Sequence, residues 1–207
     1  MSMMFMSNES PSQFNQDLND WDVSSVENMQ MMFYDYSNDV IGNKFNGNIS
    51  DWDTSNVTNM MMMFHQNDAF NQPIGNWDVS NCTNFMMMFM HCNAFNQDLG
   101  NWDISAAGSF THFMKDVESL SVENYDALLI GWATLTPSEI LIPLNKHVHF
   151  GENTMYSSAG KTARDLLIAA EADGGYNWTI TDGGCTCEYI ELNYQATDSV
   201  SIYWSAN

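Results

Sequence analysis

The chain has 207 residues, 44% of them apolar, and 26 acidic against five basic side chains give it a net charge of −21. That length holds one domain, or a repeat domain with a terminal module, and the apolar content excludes a disordered chain. The charge excludes nucleic acid and anionic membranes as partners, because both need a cationic footprint, and no run approaches the roughly 18–20 apolar residues of a membrane span.

The opening segment, MSMMFMSNESPSQF, has no basic n-region and too short an apolar run for a secretory leader. For an exposed protein this implies that a leader was removed, or that the chain reaches a surface by another route, such as assembly into a virus particle. The MMF at Met3–Phe5 matches the end of the units that follow, so the chain starts in mid-repeat.

Those units are spelled out by aromatic spacing. Trp21, Trp52, Trp77 and Trp102 are separated by 31, 25 and 25 residues, and Phe14, Phe45, Phe70 and Phe95 step identically. The long first step comes from an insertion within YDYSNDVIGNK, polar as an excursion from one face of a repeat array should be. Within a unit, Trp-x-Val has the period of a short strand. Cys82, Phe85 and Met88 then follow at the spacing of a short helix or 3₁₀ turn. Ser24, Ser55, Ser80 and Ser105 stand where N-caps would, and Ser24 with Glu27 spells a capping box. The predicted fold class is a repeat solenoid over residues 1–114. Each leucine-rich-repeat-like coil is a short strand plus a short helix or 3₁₀ turn, and stacked coils share one core.

The pattern FNQxxxxWDVSNVTNMxxMF, carried by residues 14–114, resembles the BspA-like leucine-rich repeats of bacterial surface proteins. The segments YDALLIGWATLTP and TARDLLIAAEADGGYNWTITDGG also look like the region that follows such repeats. The resemblance implies a solenoid exposed on a surface, and binding without catalysis.

After the repeats, residues 115–184 read as an α+β cap over the open end of the stack. Ser119 to Trp132 has an N-cap serine and helical spacing, ILIPLNKHVHFG alternates like a strand, and SAGKTARDLLIAAEADGG is a helix closed by glycines. NWTITDGG is a further short strand and turn. Residues 185–207 alternate around a turn, as a β-hairpin tail that has to dock on the cap or on another chain.

Candidate chemistry lies in registers. Asp22, Asp53, Asp78 and Asp103 would stack with repulsion between like charges. An Asx-type turn, each carboxylate accepting N–H bonds in its own turn, offsets that, and calcium held between coils is the sharper alternative. Asn15, Asn46, Asn71 and Asn96 predict an amide ladder. Met32, Met63 and Met88 take core positions, whereas Met31, Met62 and Met87, extended by Met61 and Met86, form a stripe that one helical turn cannot bury entirely. Its flexible thioethers suit an adaptable protein interface, lateral packing under a loop, or copper(I).

His147 and His149 share a strand face without a visible third metal ligand, and His65, Met90 and His91 lie in return loops. Cys82 takes a core position and Cys92 the following loop. Cys185 and Cys187 flank one threonine, where a mutual bridge would be tight, so free thiols or other pairings are expected. No nucleophile elbow, HExxH, P-loop, GxGxxG or Cys/His pair occurs at usable spacing.

The expectation is a non-enzymatic structural or adhesion protein that needs no cofactor. It would act through protein partners, copies of itself or a host-surface receptor or glycan, as a component of a larger assembly such as a virus particle; the alternative is a bacterial cell-surface adhesin whose leader lies outside this chain. A glycan-active enzyme using paired carboxylates is the distant alternative.

Overall fold

A computed structural model describes residues 1–7, 12–36, 43–136 and 139–187. The described residues up to 120 are a succession of turns stacked in register. The N–H groups of Met29, Met31 and Phe33 donate to the carbonyls of Asn59, Met61 and Met63, each at 2.9 Å. Met60, Met62 and Phe64 donate in turn to Asn84, Met86 and Met88, and Phe85, Met87 and Phe89 to Ser109, Thr111 and Phe113. Asn28, Asn59, Asn84 and Ser109 form single parallel bridges from layer to layer.

Three aromatic columns fill the interior. Phe5, Phe33, Phe64 and Phe89 stack at 5.4, 5.6 and 5.7 Å between centroids, and Phe14, Phe45, Phe70 and Phe95 at 6.0, 6.4 and 6.1 Å. The two columns interlock, with Phe64 and Phe70 3.7 Å apart. Each buried phenylalanine contributes about 1.5–3 kcal/mol of transfer free energy. In the third column the indole N–H of each layer donates to a carbonyl of the layer before: Trp52 to Leu18 (2.8 Å), Trp77 to Ile49 (3.1 Å) and Trp102 to Ile74 (3.0 Å).

The expected coil of strand plus helix does not form, and the predicted solenoid of that class is corrected. Among the described residues the regular elements are two α-helices, one 3₁₀ turn and two two-stranded parallel sheets, all beyond residue 121. Three local features account for this. Met31, Met62, Met87 and His112 adopt positive φ of 54–55°, and Gln66, His91 and Asp116 do so again four residues on in their layers, at 57–61°. A helix cannot pass through a left-handed residue. The serines expected to cap helices instead donate their hydroxyls to Asp22, Asp53, Asp78 and Asp103 two residues earlier. The Trp-x-Val steps run into a β-turn, as in Cys82 N–H to Val79 O at 2.8 Å.

Helix α1 (Val122–Trp132) takes the place of the next layer. Its Trp132 indole donates to Leu99 O at 3.0 Å, continuing the indole ladder, while Ser121 N–H and the Asn124 amide reach the Asn96 carboxamide. Ser121 is the N-cap, accepting from Asn124 N–H, while the Ser119 hydroxyl donates to Phe95 O at 2.7 Å. The helix lies backbone against backbone on the preceding layer, so a Cβ at Gly131 would fall on the Gly100 carbonyl.

Beyond it, β1 (His147–His149) pairs in parallel with β3 (Thr179–Thr181), and β2 (Met155–Tyr156) with β4 (Gly184–Cys185), with α2 (Ser158–Ile168) and the 3₁₀ turn Glu171–Asp173 between. Met114 N–H donates to His149 O at 2.8 Å, so β1 extends the ladder of the repeats. Asp182 ties these pieces together. It accepts from Arg164 Nε at 2.7 Å and Nη2 at 3.1 Å and from the Tyr125 hydroxyl at 2.7 Å.

Cys185 and Cys187, expected to remain unpaired with each other, form a disulfide. Their Cα atoms are 5.0 Å apart, within the span a disulfide bridges even across one residue. Of the predicted hairpin tail, Cys185 belongs to β4, and residues 188–207 lie outside the described residues.

Candidate functional site

The most regular outward feature is the methionine column. Asn59 and Asn84 start it in their layers, their side-chain oxygens accepting from Met61 and Met86 N–H at 3.0 and 3.1 Å. A β-turn follows, closed by Met63 N–H to Met60 O and by Met88 N–H to Phe85 O, both 3.1 Å. Positive φ at its third residue is the arrangement of a type II turn. That position ordinarily takes glycine or asparagine; here it holds Met31, Met62 and Met87. The turn divides the methionines: Met32, Met63 and Met88 are fully buried, while Met31, Met61, Met62, Met86 and Met87 are half-buried at the surface. The stripe is therefore partly covered, with each side chain held at a fixed rung.

The column continues beyond methionine. His112 occupies the next rung with φ 55°, and its ring lies 6.2 Å from that of His149 on β1. These two, with Thr111, His147, Val148, Thr179 and Thr181, line an open pocket of about 320 Å³. His149 Nδ1 accepts from Gly151 N–H at 3.2 Å, and burial lowers its pKa. Sequence reasoning missed His112, although its register with Met87 was available. Further along the edge, His65 is packed edge-on against Tyr34 at 4.9 Å and His91 at 5.8 Å; burial, then the neighbouring His91, pull its pKa down to about 4.

The structural registers lie elsewhere. Trp52, Trp77 and Trp102 are at most 4% exposed, whereas Trp21 in the first of these layers is 38% exposed. Asp22, Asp53, Asp78 and Asp103 each accept from the backbone N–H and hydroxyl of the serine two residues on, the Asx geometry. For Asp22 and Asp53 the serine hydroxyl, then its N–H, holds the carboxyl below its usual range. The asparagine register is a ladder of Asn46 N–H to Asn15 Oδ1, Asn71 N–H to Asn46 Oδ1 and Asn96 N–H to Asn71 Oδ1, at 2.7–2.9 Å.

Among the described residues no group of three His, Cys, Asp or Glu side chains could hold a metal ion, so His147 and His149 gain no third ligand of those types. Cys82 and Cys92 are buried free thiols. Burial pushes Cys82 up to about 12 and Cys92 further, and Cys92, placed by sequence in a loop, donates its thiol to Phe64 O at 2.8 Å. No helix among the described residues is long and apolar enough to cross a membrane.

The described residues thus form a succession of in-register turns followed by two helices, a 3₁₀ turn and two two-stranded parallel sheets. Residues 1–126 match the family described as "Mycoplasma protein of unknown function, DUF285", and the chain belongs to that family. No curated protein and no solved structure matched it.

Proposed function

We propose that this chain is a non-enzymatic, surface-exposed binding protein that acts through protein–protein contacts, and that its contact edge is the column Met31, Met61, Met62, Met86 and Met87. One observation carries the reading. These five thioethers are only half-buried while their neighbours Met32, Met63 and Met88 are wholly inside. They therefore form a continuous soft strip on a stack whose backbone is pinned layer to layer. Flexible side chains on a rigid support adapt to a partner at little backbone cost. The resemblance of residues 14–114 to BspA-like repeats of bacterial surface proteins supports exposure at a cell surface. The family description names a bacterium, which favours an adhesin over a virus-particle component.

The test compares the native chain with Met31→Ser, Met62→Ser and Met87→Ser combined, measuring retention of labelled protein on cell surfaces and sedimentation of the protein alone. The triple variant should lose cell binding or self-association at least tenfold while keeping its circular dichroism. Equal retention and equal sedimentation of both proteins would remove the methionine edge from the function.

A further inference from the structure

The left-handed column is where residue choice and local preference disagree repeatedly. Met3, Met31, Met62, Met87 and His112 lie at φ 54–58°, a conformation that asparagine or glycine adopts with least strain. Asparagine is used freely nearby, at Asn28, Asn59 and Asn84, yet this column holds thioethers and then an imidazole. A repeated outlier of this kind points to what the side chains do. Burial does not account for them, since Met62, Met87 and His112 are all half-exposed.

Spacing and chemistry agree on one ligand class. Parallel rungs are about 4.8 Å apart. A metal–sulfur bond is about 2.3 Å in zinc thiolate sites, so two sulfurs on one ion lie up to about 4.6 Å apart, close to the distance between neighbouring rungs. The outer rungs of a set of three are about 9.6 Å apart, a span that a flexible thioether and an imidazole would close by leaning toward the middle rung. Thioether sulfur selects soft cations, and imidazole completes such a set. Among the described residues the His112 imidazole makes no hydrogen bond, and its ring lies 6.2 Å from that of His149. The column offers no carboxylate, so calcium and magnesium find no hard ligand there. The cysteine sulfurs are out of reach, Cys82 and Cys92 being buried and Cys185 bonded to Cys187. The net charge of −21 raises the local cation concentration.

We propose that Met62, Met87 and His112, on three successive rungs, bind a soft monovalent cation, copper(I) or silver(I), through two thioethers and one imidazole. The site does not depend on the partner-binding reading, and its test involves no partner. Silver nitrate is titrated into the oxidised chain by calorimetry and followed through methionine methyl resonances. One silver ion per chain should bind, moving the methyl signals of Met62 and Met87 and leaving those of the buried Met63 and Met88 in place. Met62→Leu with Met87→Leu, and separately His112→Ala, should each weaken binding at least tenfold. No binding, equal affinity in the leucine variant, or methyl shifts spread over all the partly exposed methionines would overturn the assignment. The native-protein spectrum alone decides the matter if a variant fails to fold.

Discussion

The repeat stack and the C-terminal unit reach order by opposite routes. In the C-terminal unit local signals largely match local structure, although α2 ends at Ile168 and not at the glycines expected to close it. Ser121 and Ser157 cap the two helices by accepting from Asn124 and Ala159 N–H, and the strands pair in plain parallel register. In the stack the backbone does what its residues do not favour, with methionine and histidine in left-handed turns. The inter-layer hydrogen bonds and the aromatic columns impose that conformation. Local preference rules where the chain can cap itself, and stacking rules where every layer hands its donors to the next.

The largest effects should separate the two regions by mechanism. Phe64→Ala opens the centre of the stack, between Phe70 at 3.7 Å and Phe89 at 5.7 Å, and should cost about 3–5 kcal/mol. Arg164→Ala leaves the Asp182 carboxylate, 3% exposed, without its cation and should cost about 3 kcal/mol. The difference lies in the remedy. Adding Asp182→Asn to Arg164→Ala should recover much of the loss, since the uncompensated charge is the problem, whereas no polar change repairs the phenylalanine cavity. Urea denaturation of the variants measures both, and failure of the asparagine change to restore stability would mean that packing, not charge, holds the C-terminal unit.

A middle-sized effect belongs to His65. Its folded-state pKa, about 4, is below the ordinary 6.5, so the unfolded chain takes up this proton first as the pH falls. Stability from this group is complete above about pH 6.5, declines between 6.5 and 4, and is level below that. The loss should be on the order of 3 kcal/mol. His149, lowered in the same sense by burial, adds to it. The depressed carboxyls of Asp22 and Asp53 act in a separate window, their contribution being lost only below about pH 3.8. Melting temperature should therefore fall from pH 7 to pH 4.5, and His65→Gln should flatten most of that slope. An unchanged slope would place the buried titration elsewhere.

Much of this was legible in the sequence, and the failures have physical causes. The spacing of Trp52, Trp77 and Trp102 gave register and interior, because an aromatic recurring at fixed distance in stacked layers has to meet its copies. Conformation was hidden, because Met62 carries no mark of a left-handed turn; glycine there would have shown it. Serine after Trp-Asp-x read as a helix cap because the cap and the Asx turn share the same residues, and only the Asp78–Ser80 hydrogen bond tells them apart. Trp132 follows Trp102 by 30 residues instead of 25, so its place in the indole ladder fell outside the period. At the candidate site the methionine stripe was visible, and its continuation to His112 was not, because the residue type changes where the register persists.

The smallest effect tests the comparison most directly, by setting two neighbours against each other. Met87 is left-handed and half-exposed, while Met88 is fully buried in the core. If stacking forces the conformation on Met87, asparagine there relieves strain and loses only a partly covered side chain, so Met87→Asn should stay within about 1 kcal/mol of the native chain. Met87→Val should cost about 1–2 kcal/mol more, because a branched Cβ resists positive φ. At Met88 the order should reverse. Valine there keeps an apolar core residue, whereas asparagine buries an amide and should cost at least about 2 kcal/mol. Thermal unfolding of the four variants yields that crossing pattern or abolishes it. Were valine the milder change at both positions, burial alone would govern this edge, and the conformation of Met87 would be a local preference, not something the layers impose.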